Sequence, residues 1–124
     1  MITYIYDPHT GDITAANTET YAEWMKQFPN ARRIAETTLG ECWISTVFLG
    51  LDHSFGLGGQ PVLFETMVFW EEHQDIHNDC TRCETLKEAK KMHEDMCHQM
   101  ERYIYDLNQE ECARIEMWPE KSYD

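Results

Sequence analysis

The sequence is poor in basic residues and lacks a long apolar run, and both shortages narrow the class of protein. Ten Lys and Arg stand against 23 Asp and Glu, so the formal net charge is -13 at pH 7. Because phosphate contacts need Lys and Arg, we expect no direct binding to nucleic acid. No run of about 18 apolar residues occurs, so we expect no membrane span. The opening residues, Met1–Tyr4, lack a basic n-region, so we expect no secretory signal.

Glycine and proline are also scarce, with six and four residues in a chain of 124. This composition excludes collagen-like and low-complexity chains. Hydrophobic residues make up 42% of the chain and aromatic residues 12%, which is enough for a core. Since single domains span roughly 100–200 residues, we predict one domain over 1–124, with a loose tail from about residue 119.

The chain has an odd number of cysteines, which argues against a framework of disulfides. We expect free thiols in a reducing cytoplasm. The five cysteines are Cys42, Cys80, Cys83, Cys97 and Cys112.

The amino-terminal third predicts two strands and a helix. Ile2–Tyr6 and Ile13–Ala16 are short, β-branched segments on either side of a turn that contains Pro and Gly. Thr20 followed by Glu23 resembles a capping box and predicts a short helix at about 21–28.

The central block predicts an antiparallel meander of three strands. Arg33–Leu39, Cys42–Leu51 and Pro61–Trp70 are consecutive β-rich runs with short connections. Both faces of the last two runs are largely apolar, and a helix covers only one face of a sheet. The second face must therefore meet the amino-terminal elements or a partner chain, so a homodimer is one expected outcome.

The carboxy-terminal third predicts a long amphipathic helix. We expect a loop at Glu71–Cys83, a helix from Thr85 to about Leu107, and a further short helix at Glu111–Trp118. The predicted fold is α+β: a three- to five-stranded antiparallel sheet packed on one long C-terminal helix, with short accessory helices. The apolar stripe of that helix comprises Leu86, Ala89, His93, Met96, Cys97, Met100, Ile104 and Leu107.

Four residues are candidates for acid–base chemistry. Asp52 and His53 follow the central strand, Glu65 lies within the next strand, and His93 lies on the apolar stripe. If the helix covers the sheet, the His93 imidazole approaches Glu65 or Asp52. A carboxylate beside an imidazole is a general-base pair, and two of each suit a metal ion. The structural alternative is a buried polar pair of Glu65 and His93 that fixes the register of helix and sheet, with Asp52 capping its loop.

A second candidate set has the side chains that zinc prefers. His73, His77, Cys80 and Cys83 are spaced as His-x3-His-x2-Cys-x2-Cys, and the Cys pair has the spacing of a zinc knuckle. The second Cys pair of known zinc modules is missing. The alternative is a solvated loop with Cys83 under the start of the helix. We expect no cofactor, and zinc is the alternative.

Two segments resemble a group of small bacteriophage proteins whose hallmark is a double strand, STVFLGLDH…FETMVF. They are ISTVFLGLDHSFG at Ile44–Gly56 and PVLFETMVF at Pro61–Phe69. The helix start Thr85-x2-Glu88-Ala89-x3-His93 is similar to the helix of that group, although Met92 stands where the group has Gly. The resemblance covers about the middle 60 residues. It implies a phage gene product inside a bacterial cell, and no particular activity. The positions matching the hallmark are Asp52, His53, Glu65, Thr66 and His93.

Charge and resemblance together favour a non-enzymatic role through protein–protein contact. An acidic surface repels nucleic acid and attracts a host protein with a basic surface. The concrete version is an inhibitor of a host defence or nucleic-acid-processing machine, acting in the host cytoplasm. The alternatives are a small metal-binding protein or metal-dependent enzyme, and a virion or assembly component.

Overall fold

The computed structural model describes residues 2–52, 59–70 and 80–123, with side chains described to residue 109. Two antiparallel sheets pack against a long carboxy-terminal helix, which is the predicted α+β class. The described elements are β1 (Thr3–Tyr6), β2 (Ile13–Ala16), α1 (Thr18–Gln27), β3 (Arg33–Leu39), β4 (Cys42–Phe48), β5 (Phe64–Trp70), β6 (Cys80–Cys83) and α2 (Leu86–Tyr123).

The amino-terminal hairpin and α1 form one end of the core. β1 and β2 pair antiparallel, and the Trp24 indole of α1 donates a hydrogen bond of 2.8 Å to the Tyr6 carbonyl. The predicted cap at Thr20 is wrong. Asn17 is the N-cap, and its side chain accepts from the Thr20 amide at 2.7 Å, so Thr20 already lies within the helix.

The second sheet has the strand order β3-β4-β5-β6, and all its pairs are antiparallel. The prediction of a loop through Cys83 is wrong, because Cys80–Cys83 forms β6. Four residues are too few to show a periodic pattern, so pairing with β5 rather than intrinsic preference makes this strand. The β4 run also ends earlier than predicted, at Phe48, because Gly50 turns the chain at a φ of 77°.

Side-chain direction alternates along β5 and separates the two faces of this sheet. Phe64, Thr66 and Val68 are buried on the face that α2 covers. The amino-terminal elements pack on that same face, because Tyr6 and Trp24 share a cluster with Phe64. Within the described residues they therefore leave the other face uncovered.

Helix α2 begins after Thr85, whose hydroxyl accepts from the Glu88 amide at 3.1 Å. It continues as one helix to Tyr123, so the predicted break before a separate helix at Glu111–Trp118 is wrong. No Gly or Pro lies between Leu107 and Trp118, which leaves nothing to end the helix there.

The apolar stripe of α2 is buried on the sheet only over its first half. Ala89, Met96 and Met100 are buried, whereas Leu107 is 41% exposed. A helix of 38 residues is about 57 Å long, against about 24 Å for a strand of seven residues. The helix is therefore longer than the strands on which it packs. In the part of the chain described, neither helix combines the length and apolarity that crossing a bilayer requires.

Candidate functional site

His93 lies at the centre of the contact between α2 and the sheet and is only 6% exposed. Its Nδ1 atom is 2.7 Å from the Thr46 hydroxyl, and its Nε2 atom is 2.8 Å from the Thr37 hydroxyl. The hydroxyls of Thr46 and Thr66, which are direct partners across β4 and β5, are 2.5 Å apart. We call Thr37, Thr46, Thr66 and His93 the polar centre. It joins the helix to three adjacent strands.

The polar centre favours a neutral imidazole. Burial lowers the pKa of His93 below its ordinary value of 6.5, although the nearby Glu94 carboxylate raises it slightly. A neutral imidazole donates from one ring nitrogen and accepts at the other, and both nitrogens of His93 have a hydroxyl partner. The ring therefore has no free lone pair for a substrate proton or a metal ion. Its contacts serve to fix the helix on the sheet.

The predicted pairing of Glu65 with His93 is wrong. Thr66 faces the helix, so Glu65, the preceding residue of the same strand, points to the opposite face. There the Arg82 guanidinium donates from Nε to Glu65 Oε2 at 2.8 Å. A buried polar contact between helix and sheet does exist, but threonine hydroxyls supply it in place of the carboxylate.

Asp52 takes the structural role that the sequence allowed. Its Oδ1 accepts from the Val62 backbone amide at 2.9 Å, which ties Asp52 to the segment that leads into β5. This confirms the capping alternative for that residue. His53, its neighbour and the other candidate at this point, lies outside the described residues.

The zinc-like set is described only in part. His73 and His77 lie outside the described residues. Cys80 and Cys83 lie on opposite faces of β6, because they pair with Met67 and Phe64 respectively.

The two thiols also differ in their surroundings. Cys80 is exposed, whereas the Cys83 thiol donates to the Thr85 carbonyl at 3.7 Å, beneath the start of α2 as the alternative predicted. Burial raises the pKa of Cys83 to about 11, so in the absence of a metal ion this thiol is protonated at neutral pH. Among the described residues, no three His, Cys, Asp or Glu side chains are grouped to hold a metal. Zinc binding by this segment stays a prediction.

The face of the sheet turned away from α2 is the second apolar face that the sequence predicted, and it carries a stacked aromatic pair that the sequence did not reveal. We call it the open face. Trp43 and Phe69 are cross-strand partners there, 40% and 39% exposed, with ring centroids 5.0 Å apart. The residues of the open face are Arg33, Glu36, Thr38, Trp43, Ser45, Val47, Glu65, Met67, Phe69, Cys80 and Arg82.

The aromatic pair lies at one end of the open face. A cavity of about 400 Å³ lies beside it and reaches the tip of the β3–β4 hairpin. The sequence identified both residues as apolar strand residues. Their stacking depends on the strand register, which could not be predicted from the sequence.

Comparison with known proteins adds no relative. No family model matches the chain. No curated protein matches it, and no solved structure does so either. The structure is therefore that of a small α+β protein with a closed structural polar centre, a long acidic helix and an open sheet face.

Proposed function

We propose that this chain is a phage-encoded acidic accessory protein that binds a host protein with a basic surface. It acts in the cytoplasm of a bacterial host and blocks a defence or nucleic-acid-processing complex. The phage origin is supported by the resemblance of Ile44–Gly56 and Pro61–Phe69 to the phage group. The mode of action is supported by the charge of α2.

The acidic charge of α2 is the observation that carries the proposal. From Met92 to Asp124 the chain has nine acidic residues against three basic ones, which accounts for -6 of the total -13. The carboxylates within the described part of this stretch that face solvent are Glu94, Asp95, Glu101 and Asp106. Within residues 92–109, α2 thus has four exposed carboxylates against one exposed basic side chain, that of Arg102.

Such a helix is suited to a groove that otherwise holds nucleic acid. A basic groove attracts the carboxylates over a distance and aligns the helix, so electrostatics governs the association rate and the choice of partner. Salt weakens this attraction, because the Debye length falls from about 10 Å at 0.1 M to about 3 Å at 1 M. Nucleic acid and this protein then compete for one surface.

The test is capture of bacterial nucleic-acid-processing complexes on the immobilised chain at low and high salt. In the first variant, Glu94→Gln, Glu101→Gln and Asp106→Asn remove three charges from α2. In the matched control, Glu19→Gln, Glu41→Gln and Glu84→Gln remove three exposed charges elsewhere.

We expect a partner with a basic nucleic-acid-binding surface that double-stranded DNA displaces. The helix variant should bind it at least about tenfold more weakly, and the control should bind nearly as the original does. Binding that is unchanged by high salt, by DNA and by the helix variant contradicts the proposal.

A further inference from the structure

We infer that the open face is the interface of a homodimer, in which two copies pack this face against each other. The inference concerns a different surface from the acidic helix and does not rest on the proposed function. A second copy of the chain would cover the second apolar face of β4 and β5.

The open face has the layout of an interface, with an apolar middle and a charged margin. Its apolar residues, Trp43, Val47, Met67 and Phe69, lie on the two inner strands β4 and β5, on either side of Ser45, which is 8% exposed. Its charged residues lie on or beside the outer strands β3 and β6. Specific interfaces share this arrangement of an apolar core within a polar rim.

The charges of the open face cancel, and this selects a second copy as the occupant. Arg33 pairs with Glu36 at 3.4 Å, and Arg82 pairs with Glu65 at 2.8 Å. The described residues of this face therefore carry no net charge, although the chain carries -13. Two acidic copies repel each other least across a neutral face, whereas a basic partner is drawn to the acidic parts of the surface.

The small area of the face favours a weak dimer. Three strands of seven residues and one of four, about 4.8 Å apart and about 3.4 Å per residue, give roughly 400 Å² of flat area per copy. The total of roughly 800 Å², before side-chain relief is added, lies below the about 1,200 Å² of stable interfaces and in the range of weak ones. We therefore expect a reversible dimer with a Kd of about 10 µM. The two sheets would pack as an aligned sandwich with α2 on each outer side.

Sedimentation equilibrium over about 5–500 µM brackets that Kd and tests the inference. Because salt screens the repulsion between two acidic copies, the dimer should be tighter at about 0.5 M salt than at about 0.05 M. Salt weakens the proposed host complex instead, so the two interactions respond to salt with opposite sign. The proposal of a homodimer and the proposal of a host complex can therefore be disproved independently.

Two substitutions on the face give complementary readouts. Trp43→Thr with Phe69→Thr should weaken the dimer about 100-fold, because it removes the two exposed aromatic side chains of the face. Thr38→Glu adds one charge to each face without touching the core and should weaken the dimer about fivefold at low salt. Asn108→Glu adds the same charge on α2, at an exposed position, and should leave the dimer almost unchanged.

Three results overturn the inference. The first is a chain that stays monomeric at about 500 µM, far above the expected Kd. The second is a dimer that Thr38→Glu and Asn108→Glu affect equally. The third is a dimer that keeps its strength when Trp43 and Phe69 are replaced. If the double variant does not fold, the comparison of the two Glu variants alone decides.

Discussion

His93 on α2 and Thr46 in the middle of β4 are joined by a hydrogen bond of 2.7 Å between Nδ1 and Oγ1. Both residues are buried, and Thr66 and Thr37 extend the contact to the strands on either side. The fold accounts for these residues, which leaves the surface of the protein to account for its function.

The Thr46 hydroxyl should contribute measurably to stability. Thr46→Val keeps the shape of the side chain but leaves His93 Nδ1 without its partner in a buried site. We expect the free energy of unfolding to fall by about 1–3 kcal/mol. Urea denaturation measures it, and Thr38→Val on the exposed open face is the control, expected to change stability by less than about 0.5 kcal/mol. Equal effects of the two substitutions would contradict a closed polar centre.

Stability should fall on mild acidification because of His93. Burial lowers the pKa of this imidazole in the folded chain, while the unfolded chain keeps a value near 6.5. Between the two values the unfolded state binds more protons, so acid favours unfolding. The contribution of His93 is complete above pH 6.5 and declines as the pH falls from there toward the folded pKa.

The measurement compares the original chain with His93→Gln at about pH 7.5 and about pH 5, on either side of the ordinary histidine pKa. The difference in unfolding free energy between the two proteins should shrink at the lower pH. Other titrating groups are common to both and cancel. A difference independent of pH would show that His93 does not titrate abnormally.

Glu65 and His93 should contribute to stability independently. Glu65 bonds Arg82 on the open face and His93 bonds Thr46 on the helix face, so the two residues share no partner. In a double-mutant cycle with Glu65→Gln and His93→Gln, the effects should add to within about 0.5 kcal/mol. The cycle of Thr46→Val with His93→Gln is the positive control, with a coupling of about 1 kcal/mol or more. Coupling of similar size in both cycles would show that Glu65 interacts with His93 after all.

Gly50 should be much less replaceable than Gly40. Both have positive φ values, 77° and 60°. A Cβ at Gly50 would lie 3.1 Å from the Tyr21 ring, whereas at Gly40 it would meet nothing within 4 Å. We expect Gly40→Ala to cost about 1 kcal/mol for the left-handed backbone, and Gly50→Ala to cost at least about 1 kcal/mol more. Thermal unfolding measures the loss of stability in both variants. Equal losses would contradict the close approach of the Tyr21 ring to Gly50.

The sequence predicted the elements whose pattern is local. Ile13–Ala16 and Arg33–Leu39 have the predicted bounds, and the α2 stripe packs against the core as expected through Met100. Spacings of three and four in a helix, and runs of β-branched residues, indicate such elements without knowledge of the partners.

What depends on pairing could not be predicted in the same way. Because β5 is apolar on both faces, alternation alone did not say whether Glu65 or Thr66 points at the helix. His93 was identified from its place on the stripe, but its partner Thr37 lies 56 residues away in the sequence. At α1, both Asn17 and Thr20 are capping residue types, and only the folded backbone selects Asn17.

The central claim is that His93 belongs to a closed, buried polar centre that serves the fold and is not available for catalysis. An NMR titration of the His93 imidazole tests it most directly. We expect His93 to stay neutral to a pH clearly below the ordinary histidine pKa, with its ring nitrogens protected from solvent. A His93 ring that titrates at the ordinary histidine pKa and exchanges freely with water would contradict the claim.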